Sequence, residues 1–283
     1  MPADKATLPP ETRIGRVALA IADLNRMTDF YADVVGLVVR ERTDDQAVLG
    51  TTETPFLVLE ASDAPERAPD ETGLFHTAFR VPDRTALGAA LERIETDWRL
   101  TGASDHLVSE ALYLRDPEDN GVEVYCDTPR ETWEMLPNGR VDIDTRPLDL
   151  GPIRAAGDGG ETVPAETDVG HIHLEVSSVA AAREFYVDTL GFRVRREWPD
   201  AEQPDALFVA AGDYHHHVGL NTWQGRTAPK TGRGLAWAEI LVPEAGLTAL
   251  KSRLRDADIE VGGDHELQIT DPDGIDLRLR VQT

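Results

Sequence analysis

Ile14-Gly15-Arg16-Val17, followed by Phe30-Tyr31-Ala32-Asp33-Val34-Val35-Gly36-Leu37, returns 155 residues later as Val169-Gly170-His171-Ile172 and Phe185-Tyr186-Val187-Asp188-Thr189-Leu190-Gly191-Phe192. The same offset separates Asp116-Pro117 from Asp271-Pro272. Self-similarity at a fixed spacing marks a duplicated scaffold. A chain of 283 residues is also long for one ordinary domain. The expected organisation is an N-terminal domain over 13–128, a linker over 129–167 and a C-terminal domain over 168–283.

Each half divides again. Val17–Ile21 reads as an apolar strand, Asp23 as a helix cap, and Met27, Phe30, Tyr31 and Val34 as the buried face of a helix that Gly36 ends. Strand-like runs follow at Leu37–Arg40, Ala47–Leu49 and Phe56–Glu60. A second module opens on the strand Leu74–Val81. Asp83 caps its helix through Leu87, Leu91 and Ile94, and strands follow at Ala111–Leu114 and Val122–Tyr125. The scheme recurs from Val169 and from Leu235. The fold class is therefore α+β, with a β-α-β-β-β module used four times. The stretch from Thr128 to Asp168 is rich in Pro and Gly and holds few apolar residues, such as Trp133, Leu136 and Leu148. It reads as a long connection partly packed on the surface.

Composition narrows the function. A hydrophobic content of 41% supports packed cores, and no run of apolar residues is long enough to span a bilayer. Residues 1–12 lack a signal-peptide pattern, so a soluble, cytoplasmic protein is expected. The single cysteine, Cys126, excludes an intrachain disulfide framework and a cysteine-cluster zinc site. A net charge of −24 argues against nucleic acid as partner, because phosphate contacts need clustered cations. Only Lys5, Lys230 and Lys251 among the 28 basic residues are lysines, and the acidic residues are scattered along the whole chain. That surface suits a cytosol of very high salt, where self-repulsion is screened. We read it as a halophile's.

The helix phrase Phe-Tyr-x-Asp-x-x-Gly after a short strand, with Asp116-Pro117-Glu118-Asp119-Asn120-Gly121-Val122-Glu123 near a module's end, resembles the vicinal oxygen chelate superfamily. That group holds glyoxalase I, extradiol ring-cleaving dioxygenases, fosfomycin-resistance enzymes and bleomycin-binding proteins. The segments Ser104–Tyr113 and Tyr214–Trp223 are similar to those of the catechol-2,3-dioxygenase-like branch. The resemblance spans nearly everything but the linker. It implies modules that pair into two cupped, barrel-like sheets, with metal ligands on a module's first and last strands.

Under that resemblance, six positions are eligible as ligands. The first-strand position, 15 residues before the helix tyrosine, is Arg16 in module one and His171 in module three. Aligning Val81-Pro82 with Val242-Pro243 sets His76 of module two against Trp237 of module four. The last-strand position, seven residues after the aspartate of Asp-Pro, is Glu123 in module two and Arg278 in module four. Three of the six are thus His76, Glu123 and His171, and the others cannot ligate. Two imidazoles and one carboxylate suit Fe(II) and leave positions open for a catecholate and O₂. Mn(II) accepts the same ligands. His173 shares the strand face of His171 and is the substitute if the register slips. The sequence leaves open whether modules two and three pair within one chain or a second chain completes the site.

The resemblance also implies surrounding roles. Tyr113, ten residues before Glu123, corresponds to a tyrosine that hydrogen-bonds a substrate oxygen. The run His215-His216-His217 falls where a histidine acts as acid–base group beside bound O₂. Motif alignment favours His216, whereas alternation with Val218 and Leu220 favours His215 and His217. His106 follows a Ser-Asp motif similar to a substrate-pocket segment. Trp133, Trp223 and Trp237 are candidates for a pocket floor or for plain core, and Asp271-Pro272-Asp273-Gly274 reads as a turn, not a calcium loop. The expected function is Fe(II)-dependent extradiol cleavage of a catechol-type diol by O₂. The alternatives are a glyoxalase-like lyase or isomerase, which needs a fourth ligand, and a non-catalytic binder of an antibiotic or other small molecule, which needs none. Expected partners are the small aromatic diol and O₂, without nucleic acid or membrane and with homo-oligomerisation left open.

Overall fold

The first copy of the repeated phrase forms strand β1 (Arg13–Ile21) and the helix after it. In the computed structural model, which describes residues 7–199, 202–259 and 266–282, each module contributes its own run of hydrogen-bonded strands. The chain forms two compact units: Arg16–Ala64 with Phe75–Gly170, and Met1–Gly15 with Pro65–Leu74 and His171–Thr283.

In the first of these, the Asp23 carboxylate accepts the Arg26 N–H and caps helix α1 (Leu24–Asp29). The helix widens into a π-helical turn over Phe30–Val34. Gly36 then reverses the chain at φ +87°. Side chains rarely adopt that backbone conformation, which glycine takes without strain. Strands β2 (Val38–Arg42), β3 (Gln46–Gly50) and β4 (Pro55–Ala61) run antiparallel, and β4 pairs parallel with β1 from Val17↔Leu57 to Ile21↔Ala61. The second module repeats the plan. Strand β5 (Gly73–Arg80) leads to helix α2 (Arg84–Asp97), which Asp83 caps through the Ala86 N–H. Strands β6 (Gly102–Asp105), β7 (Ser109–Arg115) and β8 (Gly121–Asp127) complete the order β5-β8-β7-β6.

The connection after β8 is more structured than its composition predicts. It contains the two-residue strand β9 (Arg146–Pro147), paired with β6, and helix α3 (Leu150–Ala156), capped by Asp149. Helix α3 packs on α2 where two glycines meet: a Cβ on Gly88 would lie 2.5 Å from the Gly157 nitrogen.

In the other unit, strand β10 (Asp168–Glu175) precedes helix α4 (Val179–Arg183), and a π-helical turn recurs over Glu184–Thr189. Strands β11 (Arg193–Trp198), β12 (Ala206–Ala210) and β13 (Val218–Asn221) give the order β11-β12-β13-β10. The last module shows β14 (Gly234–Val242), helix α5 (Glu244–Asp256), β15 (Glu266–Thr270) and β16 (Asp276–Val281), in the order β15-β16-β14. Even a β-bulge is duplicated, at Val39/Glu41 and at Val194/Arg196. The fold is the α+β arrangement expected from the repeat. Among the described residues, no helix is long and apolar enough to cross a membrane.

Tyr31 and Tyr186, both fully buried, anchor the two cores. Tyr31 packs edge-on against Phe30 and Phe79, and Tyr186 against Phe185. Each hydroxyl donates 3.0 Å to a buried aspartate 85 residues on, Tyr31 to Asp116 and Tyr186 to Asp271. Those aspartates also organise the turn before the module's last strand. Asp116 accepts the Glu118 and Asn120 N–H groups, and Asp271 accepts those of Asp273 and Ile275. The Asp271–Gly274 segment is thus a turn, with Gly274 at φ +81°.

Candidate active site

His76 stands on β5, where its register partner on β8 is Gly121, and Ala78 two residues on pairs with Glu123. Residues two apart on a strand share a face, as do register partners, so His76 and Glu123 project together. His76 Nε2 lies 2.9 Å from Glu123 Oε2, with both side chains buried. Gly121 makes room for this: a Cβ there would sit 2.0 Å from the Phe75 carbonyl oxygen and 2.9 Å from His76 Cβ.

Tyr113 on β7 pairs with Glu123 and shares its face. Its ring centroid is 5.7 Å from that of His76. Its hydroxyl meets Glu123 and lies 2.6 Å from His106 Nε2. Burial pushes the Tyr113 hydroxyl well above its ordinary pKa, and the Glu123 charge and hydrogen bond push it further, so it stays protonated. His106 Nδ1 sits 2.7 Å from the Asp144 carbonyl oxygen. A carbonyl can only accept, so Nδ1 carries the hydrogen and, in the neutral ring, Nε2 accepts. The single Tyr113 proton therefore has two acceptors, the His106 ring and the Glu123 carboxylate.

On β10, His171 and His173 alternate onto one face and offer ring nitrogens within 4.8 Å of each other. The His173 ring lies over Gly219, where a Cβ would come within 2.1 Å of Nε2. His216 joins them, with Nε2 3.0 Å from His173 Nε2 and its ring centroid 4.1 Å from that of His171. His215 Nδ1 meets His216 Nδ1 at 2.7 Å. The His217 Nδ1 accepts the Ala211 N–H at 3.2 Å, and its ring lies tilted 5.0 Å from that of Tyr214. The alternation read back from Val218 and Leu220 does not reach His215 and His216, because β13 begins at Val218 and a turn precedes it.

The other candidate positions are filled differently. Arg16 is half-buried on β1. Trp237 on β14 and Arg278 on β16 touch each other, the guanidinium carbon 3.8 Å from the ring centroid. Trp133 packs against Val108, Val141 and Ile143 as core, with its indole N–H on Thr128. Trp223, 47% exposed, has its ring 6.3 Å from that of His173 and so borders a candidate histidine.

Glu175 escaped the reading of the sequence, although its spacing from His171 and His173 places it on their face. Its buried carboxylate is clamped by Arg67 and Arg226, each at 3.0 Å. Distant pairing of this kind leaves no local signal.

The family model described as Glyoxalase/Bleomycin resistance protein/Dioxygenase superfamily matches this chain twice, over residues 13–124 and 168–279. The chain is 39% identical over 272 residues to the Catechol-2,3-dioxygenase of Bacillus subtilis (strain 168), covering 93% of this chain and 94% of that protein. It is 30% identical over 156 residues to the Biphenyl-2,3-diol 1,2-dioxygenase 3 of Rhodococcus globerulus, covering 51% of this chain and 80% of that protein. The glyoxalase I structure from Zea mays superposes with a TM-score of 0.58 at 16% identity, covering 96% of this chain and 92% of that one, which is a likeness of fold. The relatives and the clustered histidine donors together suggest a metal. Duplicated modules, paired donor positions and these similarities agree: the chain belongs to the Glyoxalase/Bleomycin resistance protein/Dioxygenase superfamily and stands among its dioxygenases.

Proposed function

We propose that this protein is a non-haem Fe(II) extradiol dioxygenase that cleaves a catechol-type aromatic diol with O₂, and that His76, Glu123 and His171 hold the metal. The observation carrying this reading is the buried His76–Glu123 contact, at positions where the chain's other copy has a tryptophan and an arginine. The donor set fits the ion: two neutral imidazoles and a carboxylate suit Fe(II), and equally Mn(II). Trp237 and Arg278 supply no fourth ligand of the kind a glyoxalase-like lyase needs. When bound, the metal would chelate the diol, lower the pKa of its hydroxyl groups and bring O₂ beside the ring.

His216 takes a proton from the substrate and later returns it. Its two ring nitrogens face His173 and His215, so a proton accepted on one side can be passed on the other. Tyr113 turns its single hydroxyl hydrogen from the His106 ring to a substrate oxygen when the diol binds. His217 acts as a positioning residue for the turn that carries His215 and His216. The dispersed acidic surface supports a cytoplasm of high salt as the working compartment.

The test is purification without oxygen at molar salt, metal analysis, then addition of catechol and air. Stoichiometric iron, oxygen uptake and a coloured ring-opened product are expected. A preparation loaded with iron that consumes no oxygen with any simple catechol overturns the reading.

A further inference from the structure

The sheet that carries His171 and His173 also carries a charge with no counter-ion. Strand pairings set one row across it: His173 on β10 faces Gly219 on β13, Gly219 faces Phe208 on β12, and Phe208 faces Arg196 on β11. The next row is Glu175, Asn221, Ala206 and Trp198. Register partners on adjacent strands share a face. Contacts along the row agree, since the His173 ring covers Gly219 and the Phe208 ring lies 5.4 Å from that of His173. Arg196 therefore stands on the histidine face.

Arg196 is 7% exposed, yet among the described residues no hydrogen bond or ion pair reaches its guanidinium, and its Nε is buried without an acceptor. Its neighbour is the Trp198 ring, 5.2 Å away. Nearby acids are engaged elsewhere: Glu197 with Arg183, Asp213 with Arg193 and Arg195, and Glu175 with Arg67 and Arg226. In the second row Asn221 is fully buried and its amide nitrogen also lacks an acceptor. A buried cation, with a buried spare donor two strands away in the next row, is costly unless an anion completes it. At the matching position after the duplicated bulge, the other copy has Glu41, which is exposed.

We propose that Arg196, with the Asn221 amide, forms an anion subsite for a carboxylate attached to the ring of the aromatic substrate. The diol half of this statement rests on the dioxygenase reading; the anion half does not. Three strand spacings separate the Cα of Arg196 from that of His173 by about 14 Å. An arginine side chain reaching along the face from that distance brings its charge to the histidine side of the sheet. Phe208 lies on the same face between the two, with the His173 ring over Gly219 at one side of it.

The test uses the metal-loaded full chain and three ligands: a dihydroxyphenylacetate with adjacent hydroxyls, its methyl ester, and phenylacetate, which keeps the acid and lacks the diol. Affinities are measured by calorimetry without oxygen, and kcat/KM in air. Wild type should favour the acid over its ester by about tenfold or more in both quantities. Arg196→Met, which keeps the apolar stem, should bring acid and ester level, and Arg196→Lys should restore part of the gap. Arg195→Met, beside it in the bulge, should retain the preference. Equal treatment of acid and ester by wild type, or a preference that survives Arg196→Met, overturns the subsite while leaving ring cleavage intact. Arg196-dependent binding of phenylacetate with no diol cleaved upholds the subsite and overturns the dioxygenase reading.

Discussion

The Arg278 guanidinium lies over the Trp237 ring at 3.8 Å. In the other half of the repeat the same two positions hold His76 and Glu123, 2.9 Å apart. Backbone register explains both contacts, because Ala78 pairs with Glu123 as Glu239 pairs with Arg278. The inherited frame keeps two positions in touch whatever fills them: a donor pair in one copy, a cation–π stack in the other.

Substitutions should separate these roles. Glu123→Ala should lose stoichiometric iron in metal analysis. Arg278→Ala should keep it and lose about 0.5–2 kcal/mol in urea unfolding, the range for a cation–π contact. Iron retained by both variants would refute the ligand assignment.

The histidine run offers a second contrast. His216→Asn should lower kcat by about 10²–10⁴ with metal content unchanged, as expected for loss of a proton-transfer group. His217→Asn should cost about 0.5–1.5 kcal/mol of stability through the Ala211 contact and leave kcat within a few-fold of wild type. Stopped-flow turnover and urea titration decide between them. The reverse pattern would move the acid–base role to His217.

Asp116 and Asp271 are pushed up to about 6, chiefly by burial, against the hydrogen bonds that favour their charged forms. A carboxyl whose pKa is raised on folding contributes stability that is complete below its unfolded pKa, near 3.9, and lost as pH rises through about 6. Relative to wild type, Asp116→Asn should therefore gain stability between pH 4 and pH 7, by up to about 3 kcal/mol at 1.36 kcal/mol per pKa unit. Urea midpoints across that range check it, and a constant difference between variant and wild type would show no shifted carboxyl at 116.

Tyr31→Phe and Tyr186→Phe remove the hydroxyls that donate to these aspartates. Each should cost about 1.5–3 kcal/mol at neutral pH, the range for a hydrogen bond to a charged group. Chemical unfolding reads the loss directly, and a cost below a few tenths would mean that water replaces the hydroxyl.

A net charge of −24 over a dispersed surface should make stability rise with salt. At about 1 M the screening length falls to roughly 3 Å, short enough to quench repulsion between neighbouring carboxylates. The melting temperature should climb steadily from low to molar KCl. A flat or falling profile would argue against a high-salt cytosol.

Much of this architecture was legible in the chain because duplication doubles each signal. Asp23 and Asp83 cap the helices that their positions announce, and Gly36 takes the positive φ expected of a helix stop. Strand β6 was not legible, since Gly102-Ala103-Ser104-Asp105 has no apolar alternation and is held by pairing with β7. Helix α3 was hidden by Gly151 and Pro152 and owes its place to contact with Gly88. Among the site residues, His76, Glu123 and Tyr113 share a face because β-sheet parity is readable from spacing. Parity does not extend to His215 and His216, which lie in the loop before β13, and the place of Arg196 depends on a bulge that the sequence does not announce. Non-local pairs such as Glu175 with Arg67 cannot be seen in any window of sequence.

The bulge at Val194/Arg196 sets how easily ligand choice could change. One extra residue there turns the following side chain toward the histidine face, and the bulge at Val39/Glu41 shows that the backbone device is older than the residue it now presents. A single codon change after the bulge would exchange a cation for a neutral or acidic group at a fixed point, without disturbing strand pairing. The scaffold thus keeps its geometry constant while leaving the sign of the charge it offers open to selection.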